Sequence, residues 1–159
     1  MSQFRIVNAN DYQCEQPVAL IYSSWMQTHC RSRQARDVFA VSASRALSRY
    51  DMVAASVDRT FATGALYFLL ERSLISRLIQ DPSTTWLYAV DAEDESNVYG
   101  WLCASGEVLH YVFVKPHMHR CGIASALLRF AFQPGIVSVS HWTSDFAMMK
   151  VDGYKFEGE

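Results

Sequence analysis

The stretch that most constrains the fold runs from His110 to Phe132 and reads HYVFVKPHMHRCGIASALLRFAF. It begins with aromatic and β-branched residues through Val114, a composition that predicts a strand. A polar connection follows, and from Gly122 onward apolar residues recur at the spacing of a helix. The N–H groups in the first turn of a helix have no partner inside it and lie at the positive end of its dipole. The stretch therefore predicts a strand, a loop and a helix whose N-terminus suits a bound phosphate.

This segment resembles the acetyl-CoA-binding motif of the GNAT N-acyltransferase superfamily. In that motif a strand ends in V-x-P, and Q/R-x-x-G-x-G/A then opens a helix. Val114-Lys115-Pro116 matches the strand end and HRCGIA matches the loop, with His119 where Gln or Arg is usual. The resemblance implies that the loop holds the pyrophosphate of acetyl-CoA and that the strand pairs with its pantetheine arm. The implied loop residues are His119, Arg120, Cys121, Gly122, Ile123 and Ala124, and the implied strand residues are Val112, Phe113 and Val114. An ordinary strand–turn–helix unit is the alternative.

Composition limits the class of protein. The 159 residues are 50% hydrophobic and 13% aromatic, which predicts one folded domain over residues 1–159. The formal net charge of -2 gives no global attraction to nucleic acid or to a membrane. No apolar run approaches the roughly 20 residues that span a bilayer, and the N-terminus lacks a signal-peptide pattern. The four cysteines are scattered, without C-x-x-C spacing, so we expect a reduced, cytoplasmic protein without a zinc ribbon.

Periodicity and turn residues predict the remaining elements. The expected strands are Phe4–Val7, Trp86–Asp91, Val98–Ala104, Glu107–Val114, Ile136–His141 and one starting near Gly153, and the expected helices are Pro17–His29, Gly64–Gln80, Gly122–Phe132 and a short one from Thr143 or Ser144 to about Val151. This order predicts a mixed α/β fold of three layers, α/β/α. The resemblance implies the GNAT version of that fold, with a central, mostly antiparallel sheet.

A leucine stripe marks the helix of Gly64–Gln80. Leucines recur every fourth position from Leu66 to Leu78, with further apolar residues, Leu69 among them, alongside. This spacing predicts an apolar face that packs on the sheet.

The resemblance also implies where a general base would lie. The superfamily often places a glutamate on the central strand, and its position here falls on Val108, which cannot accept a proton. His110 lies two residues further on and so faces the same side of the strand. Glu107 should face the other side, unless a β-bulge changes the phase. Histidine has an unperturbed pKa of about 6.5, so His110 is our first catalytic candidate, and a purely structural histidine is the alternative.

The usual general acid is missing as well. The superfamily often uses a tyrosine in the last helix, and its position falls on Met149, which cannot donate a proton. The possible substitutes are Tyr111, Tyr154, His141 and Cys121. His141 is our second catalytic candidate, because it ends a strand that splays from the central strand in this fold. A strand-end histidine bonded to backbone is the alternative.

Two features of the loop have other interpretations. His117 and His119, with His110 or His141, have the chemistry of metal ligands, but histidines in a phosphate-binding loop explain the pair more simply. We therefore predict no metal site. Cys121 lies beside Arg120 at a helix N-terminus, a setting that lowers the pKa of a thiol and favours reactivity.

The acceptor is left open by the sequence. A small molecule or a protein can supply the amine, and a homodimer would supply the sheet edge that the superfamily usually builds from a further strand. A weaker resemblance, on SSW, HYVFVK, HRCGIA and HWT, is to phage-encoded GNAT-like proteins, some of whose relatives modify DNA bases. Five arginines from Arg31 to Arg49 are compatible with a nucleic-acid acceptor. Val108 and Met149 are compatible with a third alternative, an inactive GNAT-like binding module.

Overall fold

The computed structural model describes residues 3–31, 59–140 and 149–158, apart from the side chains of 27–31, 59–68 and 70. The elements are β1 (Phe4–Asn8), α1 (Val18–Arg31), α2 (Arg59–Gln80), β2 (Thr84–Asp91), β3 (Val98–Ser105), β4 (Val108–Val114), a short 3-10 helix (Pro116–Met118), α3 (Ile123–Ala131), β5 (Gly135–Val139) and β6 (Tyr154–Gly158). Most of the arginine-rich stretch, His141 and most of the predicted last helix lie outside the described residues.

The six strands form one sheet in the order β1-β2-β3-β4-β5-β6. Neighbouring strands from β1 to β4 are antiparallel, and the predicted hairpin of β2 and β3 is confirmed. β4 pairs with β5 in parallel, and β5 pairs with β6 in parallel. The expectation of a mostly antiparallel sheet was therefore wrong: the sheet is mixed. The physical reason is that α3 carries the chain back to the end of the sheet from which β4 started, so β5 runs in the same direction as β4.

The sheet separates two apolar clusters. One contains the buried residues of α3 and of the sheet face beneath it, including Leu87, Leu102, Leu109, Ile123, Leu127 and Leu128. The other contains residues of α1 and α2 with the opposite sheet face, including Ile21, Trp25, Ile75, Trp86, Trp101 and Tyr111. Helices thus cover both faces, and the predicted three-layer α/β/α architecture is confirmed.

The leucine stripe of α2 is only partly on the core side. Ile75 and Leu78 are buried against α1 and the sheet, and Leu74 is partly buried there. Leu69 is 65% exposed, contrary to the expectation that it would pack on the sheet. No helix within the described ranges is long and apolar enough to span a bilayer.

Gly100 lets β3, β4 and α3 approach closely. A Cβ atom at this position would lie 2.5 Å from the carbonyl oxygen of Phe113 and 3.3 Å from Cγ2 of Ile123. A side chain here would therefore force β4 or α3 away from β3.

Candidate active site

β4 and β5 lie side by side only over a short distance. They pair at Val108 with Ser138 and at Leu109 with Val139, and the N–H of Ser140 donates to the Leu109 carbonyl at 3.1 Å. Beyond this point no described residue pairs with β4 on the β5 side. The described pairing of the two strands therefore covers the first two residues of β4.

The edge of β4 that does not face β3 has no described strand beside it after Leu109. The N–H of Lys115 donates to the carbonyl of Tyr99 on β3 at 2.8 Å. Because backbone groups alternate in direction along a strand, those of Val112 and Val114 face the opposite edge. Phe113 faces β3 with its backbone, and its ring packs in the cluster beneath α1 and α2. An extended chain that carries amides could pair with this edge as an additional strand.

A β-bulge lies directly after the described pairing of β4 with β5. β3 pairs through Cys103 with Tyr111 and through the next residue, Ala104, with Leu109, so His110 is the extra residue. Leu109 and Tyr111 consequently belong to clusters on opposite faces of the sheet, although regular alternation would place them on the same face. A bulge is the feature expected to change the phase of this strand. Glu107 precedes β4 in an exposed turn.

The His110 imidazole joins three strands. Its Nδ1 lies 2.8 Å from Ser140 Oγ, after β5, and its Nε2 lies 2.9 Å from Ser105 Oγ, at the end of β3. Ser105 Oγ in turn lies 3.3 Å from Thr84 Oγ1 on β2. A neutral imidazole has one N–H donor and one acceptor nitrogen, so one serine accepts a hydrogen bond from His110 and the other donates one. The half-buried ring is thereby fixed between the end of β3 and the residue that follows β5.

The loop after β4 turns sharply into α3. Arg120 and Gly122 both have a positive φ, of 65° and 81° respectively. The first bond within the helix runs from Ala126 N–H to the Gly122 carbonyl at 2.9 Å, which leaves the N–H groups of Ile123, Ala124 and Ser125 without a helical partner. A Cβ built on Gly122 meets no atom within 4 Å. The loop thus combines unused N–H donors with open space.

The predicted loop residues differ in what they can offer. The N–H of His119 donates to the Pro116 carbonyl at 3.2 Å, and its Nε2 lies 2.9 Å from the Val114 carbonyl oxygen. His119 therefore ties the loop to the end of β4. Cys121 is exposed, and its Sγ donates weakly to the His119 carbonyl at 3.7 Å. The side chain of Ile123 is buried in the core, so only its backbone is available to a ligand.

Several other candidates are engaged elsewhere. The Tyr154 hydroxyl donates to the Phe132 carbonyl at 2.8 Å, and Tyr111 is buried against Trp25. Met149 packs against the α3-side core. His141 lies outside the described residues. Within the ranges that the structure describes, no group of three or more His, Cys, Asp or Glu gathers to hold a metal.

Sequence reasoning missed Glu71 on α2. Its Oε2 accepts a hydrogen bond from the indole N–H of Trp25 at 2.9 Å. Desolvation by the surrounding residues raises the pKa of the Glu71 carboxyl, and the bond from Trp25 lowers it by less. The sequence does contain a sign of this residue. Glu71 is the single acid between the apolar pairs Leu69-Leu70 and Leu74-Ile75, on a helix face that is otherwise apolar.

Comparison with known proteins finds distant structural similarity to two solved structures. The chain is similar in structure to presumed acetyltransferases. One, from Pyrococcus furiosus, has a TM-score of 0.44 and 14% identity over 99% of this chain and 83% of its own. The other, of the GNAT family and from Desulfovibrio desulfuricans, has a TM-score of 0.39 and 12% identity over 80% of this chain and 62% of its own. No protein-family model and no curated protein matches the sequence.

Proposed function

We propose that this chain is an acyl-CoA-dependent N-acyltransferase of the GNAT superfamily, which transfers an acetyl or other acyl group to an amine. The observation that carries the proposal is the continuity of three features. The edge of β4 beside which no described strand lies leads directly into the positive-φ loop at Gly122, and that loop opens the N-terminus of α3. A ligand with an extended amide arm and a pyrophosphate fits this order of features.

The described residues suit two parts of acetyl-CoA, its pantetheine arm and its pyrophosphate. The edge at Val112 offers backbone groups to the amides of the pantetheine arm, in the manner of an added strand. The unused N–H groups of Ile123, Ala124 and Ser125 suit phosphate oxygens, and Arg120 adds a positive charge beside them. Gly122 keeps the approach to the backbone open. Acetyl-CoA, when bound, would supply the thioester-activated acyl group.

In this proposal His110 is the general base. Transfer forms a bond between the amine nitrogen and the acyl carbon, breaks the thioester C–S bond and releases one proton from the amine. His110 would take that proton, directly or through the hydroxyl of Ser140, which lies 2.8 Å from Nδ1. No described side chain is assigned to protonate the departing sulfur.

A non-catalytic GNAT-like binding module is the second candidate function. It is favoured by Val108 and Met149, which occupy the usual base and acid positions of the superfamily. In this alternative His110 only holds β3, β4 and β5 together through Ser105 and Ser140. A nucleic-acid acceptor, a phage origin, a cytoplasmic location and a homodimer stay predictions from the sequence.

Turnover of acetyl-CoA with a panel of amines, followed by release of free thiol, tests the proposal. His110→Ala should lower kcat about 100- to 10,000-fold, the usual range for a lost general base. His117→Ala is the matched control, because His117 is an exposed histidine in the nearby 3-10 helix. If His110→Ala folds and retains full kcat, His110 is structural and the assigned base is wrong. If acetyl-CoA binds without turnover of any amine, the binding module is favoured.

A further inference from the structure

We propose that β6 pairs with β6 of a second copy of this chain, in an antiparallel register centred on Phe156. In this register Lys155 of each copy lies opposite Glu157 of the other. The inference concerns an interaction surface and does not depend on the proposed acyltransferase function. It is argued from the place of β6 in the sheet, from the direction of its backbone groups and from the order of its charges.

β6 is the last strand of the sheet among the described residues. It consists of five residues, Tyr154–Gly158, and all five pair in parallel with β5 on one side. On its other side no described strand follows in the order of the sheet. The outer edge of such a strand offers backbone N–H and C=O groups to a further strand.

The hydrogen bonds to β5 show which backbone groups of β6 lie at this outer edge. The N–H of Gly135 donates to the Gly153 carbonyl at 2.8 Å, so the backbone of Gly153 faces β5. Backbone groups alternate in direction along a strand, so every second residue after Gly153 also faces β5. The intervening residues, Tyr154, Phe156 and Gly158, therefore turn their backbone groups to the outer edge.

These three residues match an antiparallel copy of themselves. In a register centred on Phe156, the two Phe156 residues exchange a pair of N–H to C=O bonds, as a hydrogen-bonded antiparallel pair does. The N–H of Gly158 then meets the Tyr154 carbonyl of the other copy. The N–H of Tyr154 already donates to the Val151 carbonyl at 3.0 Å, so it needs no acceptor from the second copy.

The side chains of β6 separate its apolar and charged residues onto opposite faces. Tyr154 is buried in the cluster beneath α3, and Phe156 packs against that cluster. Lys155 and Glu157 are exposed, and the alternation of the strand places them on the other face. In the register centred on Phe156 they form two symmetric pairs of opposite charge. These are non-hydrogen-bonded positions, where Cα atoms are about 4.5 Å apart and side chains lie closest.

The same charges disfavour the neighbouring registers. A pairing centred on Lys155 would place the two lysines opposite each other, and one centred on Glu157 would do so with the two glutamates. Like charges directly opposite each other are destabilising, whereas opposite charges stabilise the pair. Both shifted registers also pair fewer residues. A lysine on an edge strand usually discourages association, but here Glu157 of the second copy would neutralise it.

The resulting interface is isologous, since the same strand serves both copies. It joins two six-stranded sheets into one sheet of twelve strands. Only five residues of each strand take part, so we expect a weak dimer whose population depends on protein concentration.

Charge reversal tests both the surface and its register, with sedimentation velocity over a series of protein concentrations as the measurement. Lys155→Glu makes the exposed face of β6 entirely acidic, and Glu157→Lys makes it entirely basic. The matched controls are Lys150→Glu and Glu93→Lys, which reverse exposed charges outside β6. Circular dichroism checks that each variant is folded.

We expect wild type and both controls to dimerise alike. Each single variant should dimerise about 10- to 100-fold more weakly, because two attractive pairs become repulsive. An equimolar mixture of the two single variants should recover the dimer, since the acidic strand then faces the basic one. The double variant Lys155→Glu/Glu157→Lys should recover it as well. A wild type that stays monomeric at every concentration, single variants that dimerise like wild type, or a mixture that does not associate would overturn the proposal.

Discussion

Individual polar residues in this molecule lie at the margins of large aromatic and apolar groups. His110 on β4 is held between Ser105 and Ser140, and Glu71 is held by the indole N–H of Trp25 beside an aromatic cluster. Trp25, Trp101 and Tyr111 stack in that cluster with centroids 5.1 to 5.9 Å apart. Such packing fixes side-chain directions, which a site needs if its groups are to meet a substrate in one geometry.

The stability of the protein should depend on the charge of Glu71. Its pKa is raised in the folded state, so the unfolded chain loses this proton first as the pH increases. The stability that the protonated group confers is complete below the ordinary carboxyl pKa of about 4.3 and is lost as the pH rises through the folded value. Glu71→Gln cannot titrate, and it should be more stable than wild type at pH 7, with the difference vanishing near pH 4.

Urea unfolding of both proteins from pH 4 to pH 8 checks this expectation. Glu93→Gln is the control, because it makes the same substitution in the exposed turn between β2 and β3. A Glu71→Gln protein that is less stable than wild type at pH 7 would contradict the account, since it would mean that the charged carboxylate stabilises the fold.

At the scale of elements, the path from β4 through its loop into α3 depends on two glycines with different tasks. Gly122 adopts a positive φ and faces open space, whereas Gly100 permits a close contact between backbones. The strand, loop and helix were predictable from the sequence. β4 is a run of aromatic and β-branched residues, whereas the apolar residues of α3 recur at helical spacing. The bulge at His110 and the parallel pairing of β5 were not, since both depend on contacts between segments distant in sequence.

Gly100→Ala should destabilise the protein by about 1–3 kcal/mol, the usual cost of overpacking a tight contact. The added Cβ would lie 2.5 Å from the Phe113 carbonyl, so β4 would have to move. The matched control is Gly106→Asn in the β3–β4 turn, where a Cβ meets nothing within 4 Å and Asn tolerates a left-handed backbone. Urea unfolding should show a change below about 0.5 kcal/mol for the control. Equal stability of the two variants would contradict the tight contact.

At the scale of the whole molecule, the sheet is stabilised from both faces. The amphipathic patterns of α1, α2 and α3 predicted this arrangement, because each helix has one apolar face to bury. The surroundings of Glu71 could not be predicted, since the charge state of a carboxylate depends on which residues of other elements surround it. The exposure of Leu69 likewise reflects which part of α2 the sheet covers.

Loss of packing on either face should destabilise the entire domain. Leu128→Ala on the buried side of α3 and Ile75→Ala on the buried side of α2 should each lower the free energy of unfolding by about 2–5 kcal/mol. Phe130→Ala, at a position that is 60% exposed, should cost less than about 0.5 kcal/mol. Trp25, Trp86 and Trp101 lie on the α1/α2 side, so their fluorescence reports on that face. If Leu128→Ala lowers the midpoint seen by circular dichroism but not the one seen by fluorescence, the two faces unfold independently and the expectation is wrong.

The central claim is that the loop at Gly122 binds the pyrophosphate of an acyl-CoA, and calorimetric titration with acetyl-CoA tests it most directly. The variant is Gly122→Glu, which adds a negative charge where anion binding is proposed. The control is Gly106→Glu, which adds the same charge at another glycine of positive φ, at the opposite end of β4. We predict that wild type and Gly106→Glu bind alike, and that Gly122→Glu binds about 100-fold more weakly or not at all. Undiminished binding by a folded Gly122→Glu, or no binding by wild type, would contradict the account.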